Sequence, residues 1–208
     1  MADYLSIANG ALELVGAEDT IVSPDQDSHA ARTIANVWVD TRREALRGNE
    51  RFAPKWNFAR SYAELPARVP GATDPIPHGW TSAYRLPSDN VRFDEIVYPK
   101  SAIADYQLIG GTQGGELLTR TAGPLKIWYI RDIENPALWD ASFVAAFKHL
   151  LAYMVADRVT GDRGRKDDCY KGYVAKLSAA AKVDARENPP VEPEEDDWVL
   201  ARLGGRRW

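Results

Sequence analysis

Apolar residues recur at helical spacing near both ends of the chain and at a period of two through its middle. Over residues 4–15, Leu5, Ala8, Leu12 and Val15 share one helical face, and Gly16 stands at the stop position. Gly10 inside that stretch costs about 1 kcal/mol against alanine and marks close packing. A second helix is expected over 24–47, with Ser23-Pro24-Asp25-Gln26 as cap, first-turn proline and capping box. Its apolar stripe is Ile34, Val37, Trp38, Thr41 and Ala45, and its polar stripe is Arg32, Asn36, Asp40, Arg43 and Arg47.

Between about 56 and 132 the period is two. Trp56, Phe58, Arg60 and Tyr62 alternate on one face, as do Trp80, Ser82, Tyr84 and Leu86. Residues 91–98, 104–109, 116–120 and 125–132 are further strand candidates, and prolines and glycines including Pro66, Pro70, Pro75, Pro77, Pro99 and Gly123-Pro124 cut the segments apart. The pattern predicts one small antiparallel sheet with long loops. A helix over 136–160 follows, with Asn135-Pro136 as its start and Phe143, Phe147, Leu150, Leu151, Met154 and Val155 facing a core. A last helix over 163–187 carries Tyr170, Tyr173, Val174, Leu177 and Ala181 on one face. The expected fold is α+β: an antiparallel four-helix bundle with a small antiparallel β-sheet insertion, all within 1–187, and an extended C-terminal tail at 188–208.

The 208 residues are 45% apolar with a net charge of -4, enough for a buried core and too weakly charged for wholesale disorder. An acidic balance argues against electrostatically driven nucleic-acid binding. The single Cys169 excludes an internal disulfide, and a reducing compartment is expected. Met1–Leu5 lack the basic-then-apolar order of a signal peptide, and no apolar run approaches the ~20 residues of a membrane span.

Candidate chemistry is sparse. The run Gly110-Gly111-Thr112-Gln113-Gly114-Gly115 lacks the Gly-Lys-Ser/Thr end of a phosphate loop and reads as a hairpin turn. His29, His78 and His149 are scattered; His149 and Asp157 could share a helical face, but no second histidine joins them. Asp167 and Asp168 disfavour a thiolate at Cys169. Asp167-Asp168 reads as an exposed helix start, and Glu194-Glu195-Asp196-Asp197 as part of a flexible run. No catalytic residue, metal site or cofactor is expected.

The order of motifs has a family likeness. Leu14-Val15-Gly16-Ala17 and Ile21-Val22-Ser23 precede Arg42-Arg43-Glu44-Ala45-Leu46. Then come Trp56-Asn57-Phe58-Ala59-Arg60, Tyr84-Arg85-Leu86-Pro87-Ser88-Asp89 and Ile127-Trp128-Tyr129-Ile130-Arg131-Asp132-Ile133, followed by Pro136, Trp139 and Phe143. Over about 5–187 the chain resembles the head-to-tail adaptors of tailed bacteriophages, the tail-tubular adaptors of short-tailed phages in particular. The resemblance implies a structural subunit of the virion neck, made in the host cytoplasm and acting without catalysis. Such adaptors form a homo-oligomeric ring of about twelve copies beneath the portal. They extend the DNA channel, through which DNA passes without sequence-specific binding, and present a platform to the downstream tail or nozzle protein. Their C-terminal segments commonly reach the portal protein. Competing readings are a virion-associated carboxylate hydrolase and a small host-side interaction module.

The tail matches none of these motifs. It holds three prolines and five acids, then the apolar, basic stretch 198–208. Trp198, Val199, Leu200, Arg202, Leu203, Arg206, Arg207 and Trp208 are the expected contact to the portal or a neighbouring subunit. Its 21 residues reach at most ~70 Å. Of the seven tryptophans, five fall in the body and two in this tail.

Overall fold

The computed structural model describes residues 2–71, 74–111 and 114–187. Among them the chain forms helices α1 (Tyr4–Val15), α2 (His29–Arg47), α3 (Ala141–Val159) and α4 (Arg163–Glu187). Between α2 and α3 lie strands β1 (Arg60–Leu65), β2 (Ser82–Arg85), β3 (Asn90–Tyr98), β4 (Tyr106–Gly111), β5 (Gly114–Thr119) and β6 (Leu125–Arg131). Short 3-10 turns at Lys100–Ala102 and Pro136–Leu138 complete the elements. No described helix is long and apolar enough to cross a membrane.

The helix ends follow from local chemistry. Asp3 caps α1 by accepting from Ser6 N–H at 2.7 Å, and Gly16 closes it in the left-handed conformation (φ 67°) that an L side chain resists. α2 starts at His29 rather than at Pro24. Ser28 is the cap, accepting from Ala31 N–H, while the Gln26 side chain turns back to accept from Val22 N–H at 2.8 Å. Residues 23–26 therefore form a turn, not a first helical turn. α3 is likewise shorter than expected. Asn135 caps only the turn at Pro136–Leu138, and the Trp139 indole then donates to Ile133 C=O at 2.8 Å. That bond buries Trp139 in extended backbone and displaces the helix start to Asp140, whose carboxylate accepts from Ser142 N–H.

α3 is the hub, packed against α4, α2 and α1. Phe143, Ala146, Phe147, Leu150, Leu151, Ala152, Val155 and Ala156 are all buried, so its apolar surface wraps most of the way round. Trp38, Trp139, Phe143 and Phe147 interlock edge-to-face and stacked, with centroids 5.0–6.0 Å apart. Gly10 brings α1 against the Lys148 side chain, and Gly172 brings α4 against the His149 ring.

The expected four-helix bundle with one small sheet insertion is not what forms. The strands make two three-stranded antiparallel sheets, in the orders β1-β6-β3 and β2-β5-β4. Leu65, Ile96, Leu125, Ile127 and Tyr129 from the first bury against Tyr84 and Leu117 from the second. The middle of the chain is thus a two-layered unit with its own core, comparable in standing to the helical one. Alternation identifies a half-buried strand but not which strand shares its core, and two sheets facing each other show the same period as one sheet lying on helices. Trp56 is a further correction. It takes a left-handed backbone conformation (φ 48°), ends in the helical core and does not extend β1.

A glycine-to-alanine change at 172 separates two opposing effects. Its Cβ would lie 2.7 Å from His149 Cε1 and closer still to Nδ1. In the natural background Gly172→Ala should destabilise by about 1–2 kcal/mol, the clash outweighing the helix-propensity gain of about 1 kcal/mol. In a His149→Ala background the same change should stabilise, as read from urea unfolding midpoints.

Candidate functional site

The two cores meet where α2 crosses the end of β6. Arg42 lies on the buried side of α2 in line with Trp38 and Ala45, and is 4% exposed. β6 ends at Arg131, and Ile130 and Ile133 anchor the next turn in the helical core. Asp132 between them is held by its own N–H donating to Asp89 C=O at 2.8 Å. Arg42 Nε and Nη2 donate to Asp132 Oδ1 and Oδ2 at 2.6 and 2.9 Å, a fork on a carboxylate. Arg43 Nε donates to Oδ2 at 2.9 Å from the solvent side. Burial pushes the Asp132 carboxyl up, but the hydrogen bonds and charges of both arginines outweigh it and hold the group below its ordinary 3.8.

Arg92 ties the units together beside the clamp, and Arg60 braces the sheet next to it. Arg92 on β3 donates to Arg47 C=O at 2.8 Å and Pro54 C=O at 2.6 Å. Burial lowers this guanidinium's proton affinity, and Asp94 and Asp184 act against that. Arg60 on β1 pairs with Asp94 at 2.9 Å and Glu95 at 2.5 Å, and its guanidinium carbon lies 4.6 Å over the Trp128 ring. Lys55 N–H donates to Asp184 Oδ2 and Asn57 Nδ2 to Glu187 Oε2, so the end of α4 is stitched to the turn before β1.

An open cleft of about 420 Å³ lies over the clamp, lined by Arg43, Glu44, Arg47, Asp89, Asn90 and Asp132 among others. Asp132 is saturated by arginines, and Asp89 accepts from the Tyr129 hydroxyl at 3.2 Å. Desolvation pushes the Glu44 carboxyl up. General acid/base chemistry needs two carboxylates of separated proton affinity facing one space. Glu44 and Asp132 line this cleft with proton affinities shifted in opposite directions, but both Asp132 oxygens accept from arginines, so Asp132 and Asp89 serve as structural acceptors and the cleft presents a partly cationic rim.

The residues flagged in the sequence are dispersed. Gly110–Gly115 and Gly111–Gly114 are cross-strand pairs of β4 and β5, as expected of a hairpin's arms, and Thr112 and Gln113 between them lie outside the described residues. His29 Nε2 lies 3.0 Å from Arg158 O, and His78 is exposed. His149 sits against Gly172 while Asp157 pairs with Lys166, so the two do not form a site. Burial, more than Asp168, pushes the Cys169 thiol up. No group of three potential metal ligands occurs among the described residues. Glu194-Glu195-Asp196-Asp197 and the proposed contact residues Trp198, Val199, Leu200, Arg202, Leu203, Arg206, Arg207 and Trp208 lie outside the described residues. The clamp itself was missed as a site. Its signal was an arginine inside an apolar helical stripe and an aspartate directly after an apolar strand.

No family model matches the chain, and no curated protein matches it.

Removing Asp132 leaves Arg42 a buried charge whose remaining ionic partner is the exposed Glu134, 3.6 Å away. Asp132→Ala should cost about 3–5 kcal/mol, whereas Arg43→Ala, at a 58% exposed side chain, should cost no more than about 1 kcal/mol. The folded-state proton affinity of Asp132 is depressed, so its contribution is present at neutral pH and is lost as pH falls below about 4 through the folded value. Asp132→Asn should flatten that acid limb in denaturant titrations between pH 2 and 6.

Proposed function

We propose that this chain is a structural connector subunit, a head-to-tail adaptor that joins a ring of its own copies to a phage portal above and a tail or nozzle protein below. The observation carrying the reading is the clamp. Arg42, Arg43 and Asp132 belong to the two motif pieces, Arg42-Arg43-Glu44-Ala45-Leu46 and Ile127–Ile133, that mark the resemblance. They meet in a desolvated junction where polar groups lock a helical unit to a sheet unit. A subunit that must pass mechanical load between neighbours needs such a junction, and an acid/base enzyme does not. Asp132 and Asp89 at the junction cleft are engaged as acceptors, which disfavours a hydrolase that would pair either of them with Glu44. Net charge of -4 suits a channel wall that DNA slides past without adhering.

In this reading the segment 188–208 is the attachment strap. Burying its five large apolar side chains contributes about 8–15 kcal/mol gross. Ordering the backbone of 198–208 costs about 11–20 kcal/mol. A single strap is therefore weak, and a ring of straps bound together gains from effective concentration.

Mixing the full chain with its cognate portal should give a ring density on the portal by negative-stain electron microscopy. Deleting 195–208 should leave the circular dichroism of the body intact and abolish attachment. Unchanged attachment after the deletion contradicts the strap, and a chain that never binds portal or forms rings contradicts the connector reading altogether.

A further inference from the structure

The described strands protect their free edges unequally. β1 carries Arg60 and Glu64, and β3 carries Arg92, Asp94 and Glu95 together with three register shifts. β2 is short, and its edge is covered where Arg68 N–H donates to Ala83 C=O at 2.7 Å. β4, Tyr-Gln-Leu-Ile-Gly-Gly, has no charge, no proline and no shift in its register with β5, and it ends its sheet.

The direction of the free backbone groups follows from the other side of β5. Leu86 N–H donates to Gly115 C=O and Thr81 N–H to Thr119 C=O, each at 3.0 Å. Alternation then turns Gly115, Leu117 and Thr119 toward β2, and Glu116 and Leu118 toward β4. The residues opposite the latter two, Ile109 and Gln107, are bonded to β5, so Tyr106, Leu108 and Gly110 point their N–H and C=O groups outward. No backbone partner meets these groups among the described residues. The side chains of the same three residues share a face. Leu108 stands opposite the core residue Leu117 yet is 47% exposed, and Tyr106 is 42% exposed. A Cβ placed on Gly110 would meet nothing within 4 Å, so the space over it is open.

We propose that β4 pairs with β4 of a second copy of this chain, antiparallel, with Leu108 on the two-fold axis. In that register Tyr106 faces Gly110 of the second copy, Leu108 faces Leu108, and each facing pair exchanges two backbone hydrogen bonds. Within Tyr106–Gly111 no other register pairs all three outward residues. It also sets the Tyr106 ring over the open space at Gly110 and brings the two half-exposed leucines together. An edge that meets itself across an axis sets each charge near its own copy, so a strand without charges suits a self-partner where β1 and β3 do not. The contact is small, roughly half the ~800 Å² per partner of a standard interface. The pairing is therefore weak, with a Kd on the order of 10–100 μM. A two-fold contact closes on itself and cannot propagate into a ring. The inference thus concerns free chains and does not rest on the connector reading.

Amide hydrogen exchange and sedimentation velocity of the full chain, each over a range of concentrations, test the pairing. The amides of Tyr106, Leu108 and Gly110 should exchange about three- to fivefold slower at ~500 μM than at ~5 μM, following the fraction paired. Those of Gln107 and Ile109, bonded to β5, should not change, and sedimentation should show monomer passing to dimer over the same range. Leu108→Lys places two ammonium groups on the axis at a site already half exposed. It should raise the Kd at least about tenfold with the circular dichroism unchanged. The alternation in the natural chain decides the matter even where that variant fails to fold. A chain that stays monomeric at ~500 μM overturns the proposal. Equal protection of the outward amides at both concentrations also overturns it and assigns the cover to the chain itself. Association that leaves these amides unchanged, or that survives Leu108→Lys, sinks it and points to another surface.

Discussion

The structure hangs on one desolvated ion pair. Arg42 and Asp132 are both nearly inaccessible, and each makes sense only because the other is there. Taking two charges out of water costs several kcal/mol per ion, a cost offset here by a two-pronged fork, a second guanidinium from Arg43 and a backbone hydrogen bond that fixes the Asp132 turn. An apolar pair could have been as stable. The charged pair instead specifies one geometry, since only one placement of α2 against the end of β6 pairs both groups.

That placement orders what lies around it. With Asp132 fixed, Ile130 and Ile133 enter the helical core, while Ile127 and Tyr129 of the same strand enter the sheet core. β6 is therefore shared by both hydrophobic clusters, and the clamp sits at the point where it passes from one to the other. Arg92 extends the same logic outward by donating to carbonyls of the helical side, while Arg60 braces β1 against β3 within the sheet. The result is one polar junction that fixes how the helical and sheet units sit together. Its open features are the cationic rim of the cleft and the edge of β4.

Much of this was legible in the sequence, for identifiable reasons. α1 and α4 fall at the expected residues because a left-handed glycine and a long amphipathic face mark them locally. The strands lie near their expected positions because alternation is a local signal. What failed was non-local. β1 pairs with β6 across most of the β segment, and nothing in either strand announces that partner. The division into two sheets follows from such pairings. At the starts of α2 and α3, Gln26 and Trp139 spend their hydrogen-bonding groups on Val22 and Ile133 rather than on the helix, and side-chain choices of that kind outrank a proline in favourable position. Arg42 was hidden because a lone cation in an apolar stripe is read as an interruption until its aspartate is found 90 residues away.

The central claim is that the helical and sheet cores form one cooperative body through the Arg42–Asp132 junction. Native-state hydrogen exchange across a series of low denaturant concentrations tests it most directly. The account requires the slowest amides of β6, at Ile127 and Tyr129, and those of α3, at Leu150 and Leu151, to merge onto one global unfolding isotherm. A sheet unit that opens at a distinctly lower free energy while α3 stays protected would contradict it.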